Sequence, residues 1–316
     1  MNRRQALRLL GSCGLISCIA SCRRDPKLHQ FSRSAFGTEV GFQVHGISEE
    51  KFNQLSTRCD ERLRDIEALF SLHNPISLIC QLNREGLIVN PPTEFLELIQ
   101  TALHYSSETD GFFDITVQPL WIWRQNWKQA TLPDRLKMES DGSWEQAISC
   151  VGYSQIRANL DQVSFNKKGM GITLNGIVQG YATEQIKQLL QAAGVRHALI
   201  NIGEYAALGH SPNGEPWSVS IRSKGNALVA RKLHPESSLS VSAGYGHCFD
   251  PEGRFHHLFR PENGSNPKPN STIVVTAPNP IQADALATAI AVATPAGKEL
   301  ILRNFPEVTV EEIEGY

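Results

Sequence analysis

Two hard oxygen donors stand four residues apart in Ala283-Asp284-Ala285-Leu286-Ala287-Thr288-Ala289, among small and apolar neighbours. If this run is helical, Asp284 and Thr288 share one face. A carboxylate in such a setting must be desolvated, paired or bound to metal. A carboxylate beside a hydroxyl suits a hard cation such as Mg²⁺. The competing reading is an ordinary helix with Asp284 in its first turn, where a negative charge favours the dipole.

Three further segments could carry chemistry. Thr109-Asp110-Gly111-Phe112-Phe113-Asp114-Ile115-Thr116-Val117 sets two carboxylates around a glycine turn. It reads either as a ligand site or as a helix stop whose Asp114 bonds the backbone. Leu174-Asn175-Gly176-Ile177-Val178-Gln179-Gly180-Tyr181-Ala182 runs from a strand through glycines into a helix. Such a junction lets backbone amides approach a phosphate. His256-His257 offers a proton acceptor near its ordinary pKa, and in extended chain at most one of the pair enters a given site. There is no G-x-G-x-x-G, no Walker loop and no G-x-S-x-G elbow, so Rossmann, P-loop and hydrolase readings have no support.

The elements that must position these residues follow from periodicity. Glu39–Val44 reads as a strand after Gly37-Thr38. Phe52, Leu55, Cys59, Leu63, Ile66 and Leu69 recur at helical spacing. Helices are expected over Thr93–Ser107, closed by Thr109-Asp110-Gly111, and over Gln179–Ala193, stopped by Gly194. Strands are expected at Gln162–Phe165, Gly171–Leu174, His197–Ile202, Trp217–Arg222, Ser238–Ser242 and Thr272–Thr276, and Pro261–Asn270 reads as a surface loop. Strands with interspersed helices, without strict βαβ alternation, predict an α+β architecture.

The chain has 316 residues, 41% hydrophobic and 20% charged, enough for one large domain or two coupled subdomains. With 30 basic and 32 acidic residues, no global field advertises nucleic acid. The N-terminus reads as an export signal: Asn2-Arg3-Arg4-Gln5-Ala6-Leu7-Arg8 resembles a twin-arginine motif, and Leu9–Ser21 is uncharged but short for a permanent span. Ile19-Ala20-Ser21-Cys22 resembles a bacterial lipobox, with Cys22 as the acylated residue and Cys18 a weaker competitor. This predicts residues 1–22 as signal, 23–33 as tether and 34–316 as the functional domain, exported and anchored on the periplasmic side. The remaining cysteines, Cys59, Cys80, Cys150 and Cys248, show no C-x-x-C spacing, so zinc is not expected and thiols are the default.

Taken in order, these segments resemble the ApbE family, the FAD:protein FMN transferases. Phe36-Gly37-Thr38 resembles its M-G-T segment, and Phe70-Ser71-Leu72-His73 with Ser77 and Leu82-Asn83 matches its F-S-x-Y stretch. Thr109 to Leu120 follows its T-D-G-x-F-D-x-T-V-x-P-L stretch, and Leu174 to Ala182 its L-G-G-I-A-K-G-Y-A segment. Asn201-Ile202-Gly203-Glu204 corresponds to N-I-G-G, Ala243-Gly244-Tyr245 to S-G-x-Y, and His257 to Gly264 to H-I-x-D-P-x-T-G. Ala283 to Ala289 is A-D-A-L-A-T-A unchanged.

The resemblance implies two mixed α/β subdomains with antiparallel sheets and FAD bound between them. It implies Mg²⁺ at the diphosphate, with Ca²⁺ or Mn²⁺ as alternatives, held by Asp284, Thr288 and the Gly176 carbonyl. It implies His257 as the base for a Ser or Thr hydroxyl of an acceptor electron-transfer protein, with release of AMP. Ser77, Asp114, Asn175, Gly176, Gln179, Gly180 and Tyr181 would shape the nucleotide site. The chain departs from the motifs at Asn175, at Gln179 where the family has lysine, at Glu204 where it has glycine, and at Arg260 where it has aspartate. The lysine change removes a cation near phosphate, and Arg260 is a candidate to restore it. An FAD pyrophosphatase and a catalytically impaired FAD-binding accessory protein are the alternatives.

Overall fold

A computed structural model describes residues 27–222, 228–267 and 271–314. The expected export signal and lipobox, with Cys22, lie outside the described residues. Among those described, no helix is long and apolar enough to cross a membrane.

The chain opens with strands β1 (Leu28–Ala35) and β2 (Thr38–His45), then α1 (Glu49–Phe70), α2 (Leu78–Glu85), β3 (Leu87–Val89) and α3 (Thr93–Glu108). A helical insert follows, α4 (Gln118–Gln129), α5 (Leu132–Met138) and α6 (Ser143–Ser149). Strands β4 (Ile156–Ala158) and β5 (Gln162–Phe165) lead to α7 (Val178–Ala192), β6 (His197–Asn201), β7 (Tyr205–Leu208), β8 (Trp217–Arg222), β9 (Leu228–Leu233) and β10 (Ser238–Ala243). The last elements are β11 (Ser271–Ala277), α8 (Pro280–Val292), α9 (Pro295–Asn304) and β12 (Thr309–Glu314).

Seven strands form the main sheet in the order β1-β2-β6-β7-β10-β11-β12, every neighbour antiparallel. A three-stranded antiparallel sheet, β3-β5-β4, and the β8–β9 hairpin complete the strands described. This is the expected mixed class with antiparallel sheets. In β8, Trp217, Val219 and Ile221 alternate with exposed residues and pack on Leu239 and Val274 of the main sheet, as a half-buried strand should.

Helix α8 is the centre of the molecule. It packs on α7, β10 and β11, and ten of its thirteen residues are buried around its whole circumference. A helix apolar on all sides belongs in a core, and its alanines let neighbours approach closely. Asn279 caps it, its side-chain oxygen accepting from the Gln282 amide at 2.9 Å, with Pro280 at the first position. Asp284 is therefore the fifth helical residue, beyond the first turn, and the dipole-favouring reading fails.

Two boundaries differ from expectation. The tether was expected to run to residue 33, but β1 begins at Leu28 and pairs along its length with β2. Its inward residues are His29, Phe31, Arg33 and Ala35, a polar-aromatic mixture that hides the strand period. His29 stacks on Phe52 at 4.9 Å, and Arg33 pairs with Asp60 and Glu67 of α1. Gly171–Leu174 is not a ladder strand. The Asn83 side chain takes its place, accepting from the Ile172 amide at 2.7 Å and donating to the Ile172 carbonyl at 2.8 Å. The Thr173 amide donates to the Ile115 carbonyl at 2.7 Å.

Candidate functional site

A cavity of about 390 Å³ opens between the start of α7, the side of α8 that bears Asp284 and Thr288, the end of β10 and the loop after it, a size that holds a small-molecule ligand. It brings together Asp114, Asn175, Gly176, Gln179, His257, Asp284 and Thr288 from the sequence expectations. Thr173, Glu204, Arg222, Trp121, Tyr245 and His247 also line it. A wider groove of 830 Å³ on the opposite side of α4 contains no histidine and no buried carboxylate.

The helical wall is set by close approach. A Cβ at Gly180 would fall 2.3 Å from the Pro280 carbonyl oxygen and 2.8 Å from the Asp284 Cβ. Glycine there brings α7 against α8, and the Gly180 amide donates to Asp284 Oδ2 at 2.8 Å. Gly180 thus orients Asp284 and does not line the cavity, so its amide is not available to a phosphate as the sequence reading expected. A Cβ at Gly176 would lie 2.8 Å from Thr288 Oγ1 and 3.3 Å from the Phe113 ring. The backbone at Gly176 therefore closes on the Thr288 hydroxyl, one helical turn from Asp284.

These donors fit a hard cation: a carboxylate, a hydroxyl and a backbone carbonyl, all oxygen. Asp284 is 4% exposed and its Oδ1 takes no hydrogen bond among the described residues. Burial pushes its carboxyl up to about 7, against the pull of the Gly180 amide. Glu204 is equally enclosed. Burial first and the Asp284 charge second hold its carboxyl well above the usual range, partly offset by the Val241 amide. Among the described residues, no group of three or more His, Cys, Asp or Glu side chains is arranged to hold a metal. Backbone, hydroxyl and nucleotide oxygens would have to complete any shell.

The opposite wall is built from loops. His256 is fully buried: its Nδ1 accepts from the Leu258 amide at 3.3 Å, which leaves Nε2 to donate to the Pro267 carbonyl at 3.0 Å. Its neighbour His257 enters the cavity, as alternation in extended chain requires. His257 Nδ1 lies 3.3 Å from the His247 carbonyl. A carbonyl only accepts, so Nδ1 carries the proton and Nε2 keeps a lone pair. Burial lowers the His257 pKa to about 4, opposed by that backbone bond, so the ring is neutral near pH 7. His247 stacks against Trp121 at 5.9 Å and meets His257 edge-on at 6.3 Å.

Asp114 borders the cavity, but its oxygens are engaged locally. Oδ1 accepts from the Thr116 amide at 2.7 Å and hydroxyl at 2.5 Å, and Oδ2 accepts from the Tyr153 amide at 2.9 Å. It caps a short 3₁₀ turn, Ile115–Val117. Burial raises its pKa while these bonds oppose the rise.

Three more expectations are not met. Ser77 lies away from the cavity, donating to the Ser71 carbonyl at 2.8 Å and capping α2 through the Cys80 amide. Tyr181 faces α1 and α3. Its hydroxyl donates to Glu94 Oε1 at 2.6 Å and accepts from Arg62 at 3.2 Å, in a network that includes Gln185. Arg260 does not replace the missing lysine charge: its Nε donates to the Val292 carbonyl at 3.1 Å, at the far end of α8 from Gln179. Trp121 and His247 were not foreseen. Trp121 directly follows the matched Pro119-Leu120 pair, a signal that was available. His247 reaches the site only through loop packing.

The ApbE family model matches residues 36–310. The chain is 23% identical over 296 residues to the FAD:protein FMN transferase of Salmonella typhimurium, covering 88% of this chain and 83% of that protein. It is 26% identical over 258 residues to the FAD:protein FMN transferase of Chlamydia pneumoniae, covering 77% and 78%. Among solved structures it is similar to the apo flavinyl transferase ApbE of Pseudomonas stutzeri, with a TM-score of 0.75 at 22% identity and 92% of each chain covered. The flavin transferase ApbE of Vibrio cholerae superposes with the same TM-score at 19% identity, over 92% of this chain and 97% of that one. A family match across nearly the whole described chain, joined to this fold, makes the chain a member of the ApbE family.

Proposed function

We propose that this chain transfers FMN from FAD to a Ser or Thr hydroxyl of an acceptor protein and releases AMP. The observation that carries the reading is a neutral histidine facing a buried carboxylate across one cavity, in a chain of the ApbE family. The relatives' names, FAD:protein FMN transferase, support the flavin donor and the protein acceptor.

In this reading the acceptor hydroxyl oxygen attacks the FMN phosphorus. A new P–O bond forms, the diphosphate bond to AMP breaks, and the hydroxyl proton passes to His257 Nε2. Asp284, Thr288 and the Gly176 carbonyl would hold a divalent cation, Mg²⁺ by preference with Ca²⁺ or Mn²⁺ as alternatives. A bound cation would neutralise the diphosphate and the charge developing on the leaving phosphate. Asn175, Gln179 and Thr173 line the same cavity and would hydrogen-bond the nucleotide. Gln179 donates without charge, so the binding of anionic phosphate leans on the cation. The sequence of residues 2–22 adds an address to this reading: export by the twin-arginine route and retention at the membrane through a lipidated Cys22.

The test supplies FAD, Mg²⁺ and a flavin-accepting electron-transfer domain, and measures AMP. AMP should form only with acceptor present, one for each flavin that stays on the denatured protein. AMP without acceptor would indicate a pyrophosphatase, and FAD binding with no AMP an accessory protein.

A further inference from the structure

Glu204 is where this chain departs most from its family's pattern, a bulky acid at a glycine position, yet the structure gives it a built place. Gly203 before it has φ +95°, the left-handed region, and its bare α-carbon lies under the Gln179 amide; a Cβ there would fall 2.3 Å from Gln179 Nε2. The Gly203 amide donates to Asn201 Oδ1 at 3.1 Å, and the Thr183 hydroxyl donates to the Glu204 carbonyl at 3.1 Å. The backbone is thereby held on both sides of the residue. The side chain is 6% exposed and lines the cavity that Asp284, Thr288 and Gly176 share.

We propose that Glu204 is a second carboxylate ligand of the cation held by Asp284, making this chain's metal site doubly acidic. Two carboxylates enclosed in one cavity repel each other, and neither belongs to an ion pair among the described residues. Unpaired buried charge is costly, and a divalent cation between the two acids removes that cost. A second observation points to the same ligand: Asp284 lines the cavity, and among the described residues only its Oδ2 is hydrogen-bonded, by the Gly180 amide, which leaves Oδ1 free for a cation. The exchange has a consequence for the order of binding. Where the family motif pairs lysine with glycine, this chain pairs Gln179 with Glu204, so the site lacks one positive charge and carries one more carboxylate. It should therefore bind its cation firmly before any nucleotide arrives. The inference rests on the reading that Asp284 and Thr288 hold a metal.

The test is calorimetric titration of Mn²⁺ into the FAD-free full-length protein, for wild type, Glu204→Gln, Glu204→Gly and Asp284→Asn. Glu204→Gln should weaken Mn²⁺ by about tenfold or more, no less than loss of an outer-shell partner, with Asp284→Asn weaker still. Melting in EDTA keeps the result interpretable: Glu204→Gln preserves the side-chain volume and should melt cooperatively close to wild type, so its loss of Mn²⁺ reports a lost ligand and not a lost fold. Mn²⁺ affinity within about twofold of wild type in both Glu204 variants, with loss in Asp284→Asn, would overturn the role of Glu204 alone. Equal affinity in all four proteins would overturn the metal site itself.

Discussion

The two walls of the cavity are made by different means. The wall carrying Asp284, Thr288, Gly176 and Gln179 comes from α7 and α8, and α8 is enclosed by sheet and helix along its length. The wall carrying His247 and His257 comes from the loop between β10 and β11. It rests on a small cluster of three buried side chains, Leu120, Phe249 and Phe259, with half-buried aromatics around them. Charge that must hold a diphosphate sits where the backbone is most constrained. The base sits where a protein acceptor must approach, on backbone with fewer deep contacts.

One methyl group tests this contrast. Gly180→Ala should drive α7 from α8, since the added carbon meets backbone at 2.3 Å. The expected cost is roughly 1–3 kcal/mol, seen as a lower Tm together with loss of Mn²⁺ binding as Asp284 is displaced. On the loop wall, Gly246→Ala adds a carbon whose nearest neighbour is His257 Cε1 at 3.7 Å, an ordinary contact. Stability there should change by no more than about 0.5 kcal/mol. Equal effects at the two glycines would erase the distinction.

The pH dependence of stability separates the walls further. Asp284 has a raised pKa in the folded protein, so folding favours its protonated form. The associated stability is full below the unfolded carboxylate value and is lost as pH rises through about 7. The Tm of the metal-free protein should therefore fall between pH 5 and 8, and Mg²⁺ should restore it at the alkaline end. His257, lowered to about 4, stays neutral across this range and contributes no such slope. A flat metal-free profile in wild type, or a slope that survives undiminished in Asp284→Asn, would contradict the burial of this carboxylate.

The smallest effect is expected outside the cavity. Tyr181→Phe removes one hydroxyl from the Arg62–Glu94–Gln185 network while Arg62 keeps both bonds to Glu94. A loss of about 1 kcal/mol in stability, with FAD affinity unchanged, is the expected result. Weaker FAD binding in this variant would return Tyr181 to the nucleotide site.

Much of this was legible in the sequence for physical reasons. The i, i+4 spacing of Asp284 and Thr288 works only on a helix, and α8 is one. Alternation assigned one histidine of the pair to the cavity, and the hydrophobic periods located α1, α3, α7 and β8. The failures have equally physical causes. β1 faces the core with His29, Phe31 and Arg33, so hydropathy alone does not reveal it. A side chain, Asn83, replaces a strand partner at Ile172. Ser77, Gly180 and Tyr181 match family motifs, yet their polar groups hold helices together: a motif records what the fold requires as well as what the chemistry requires. His247 and Trp121 meet only through tertiary packing, which no local spacing encodes.

The central claim is flavin transfer through a site with Asp284 on one wall and His257 on the other. Its most direct measurement is intact-mass spectrometry of an acceptor domain after incubation with FAD and Mg²⁺, using wild type, Asp284→Ala and His257→Ala. Wild type should add one FMN less one water to a single Ser or Thr. Both variants should slow the addition by about 100-fold or more while still melting cooperatively. An acceptor of unchanged mass with wild type, across acceptors that other ApbE proteins modify, would contradict the account.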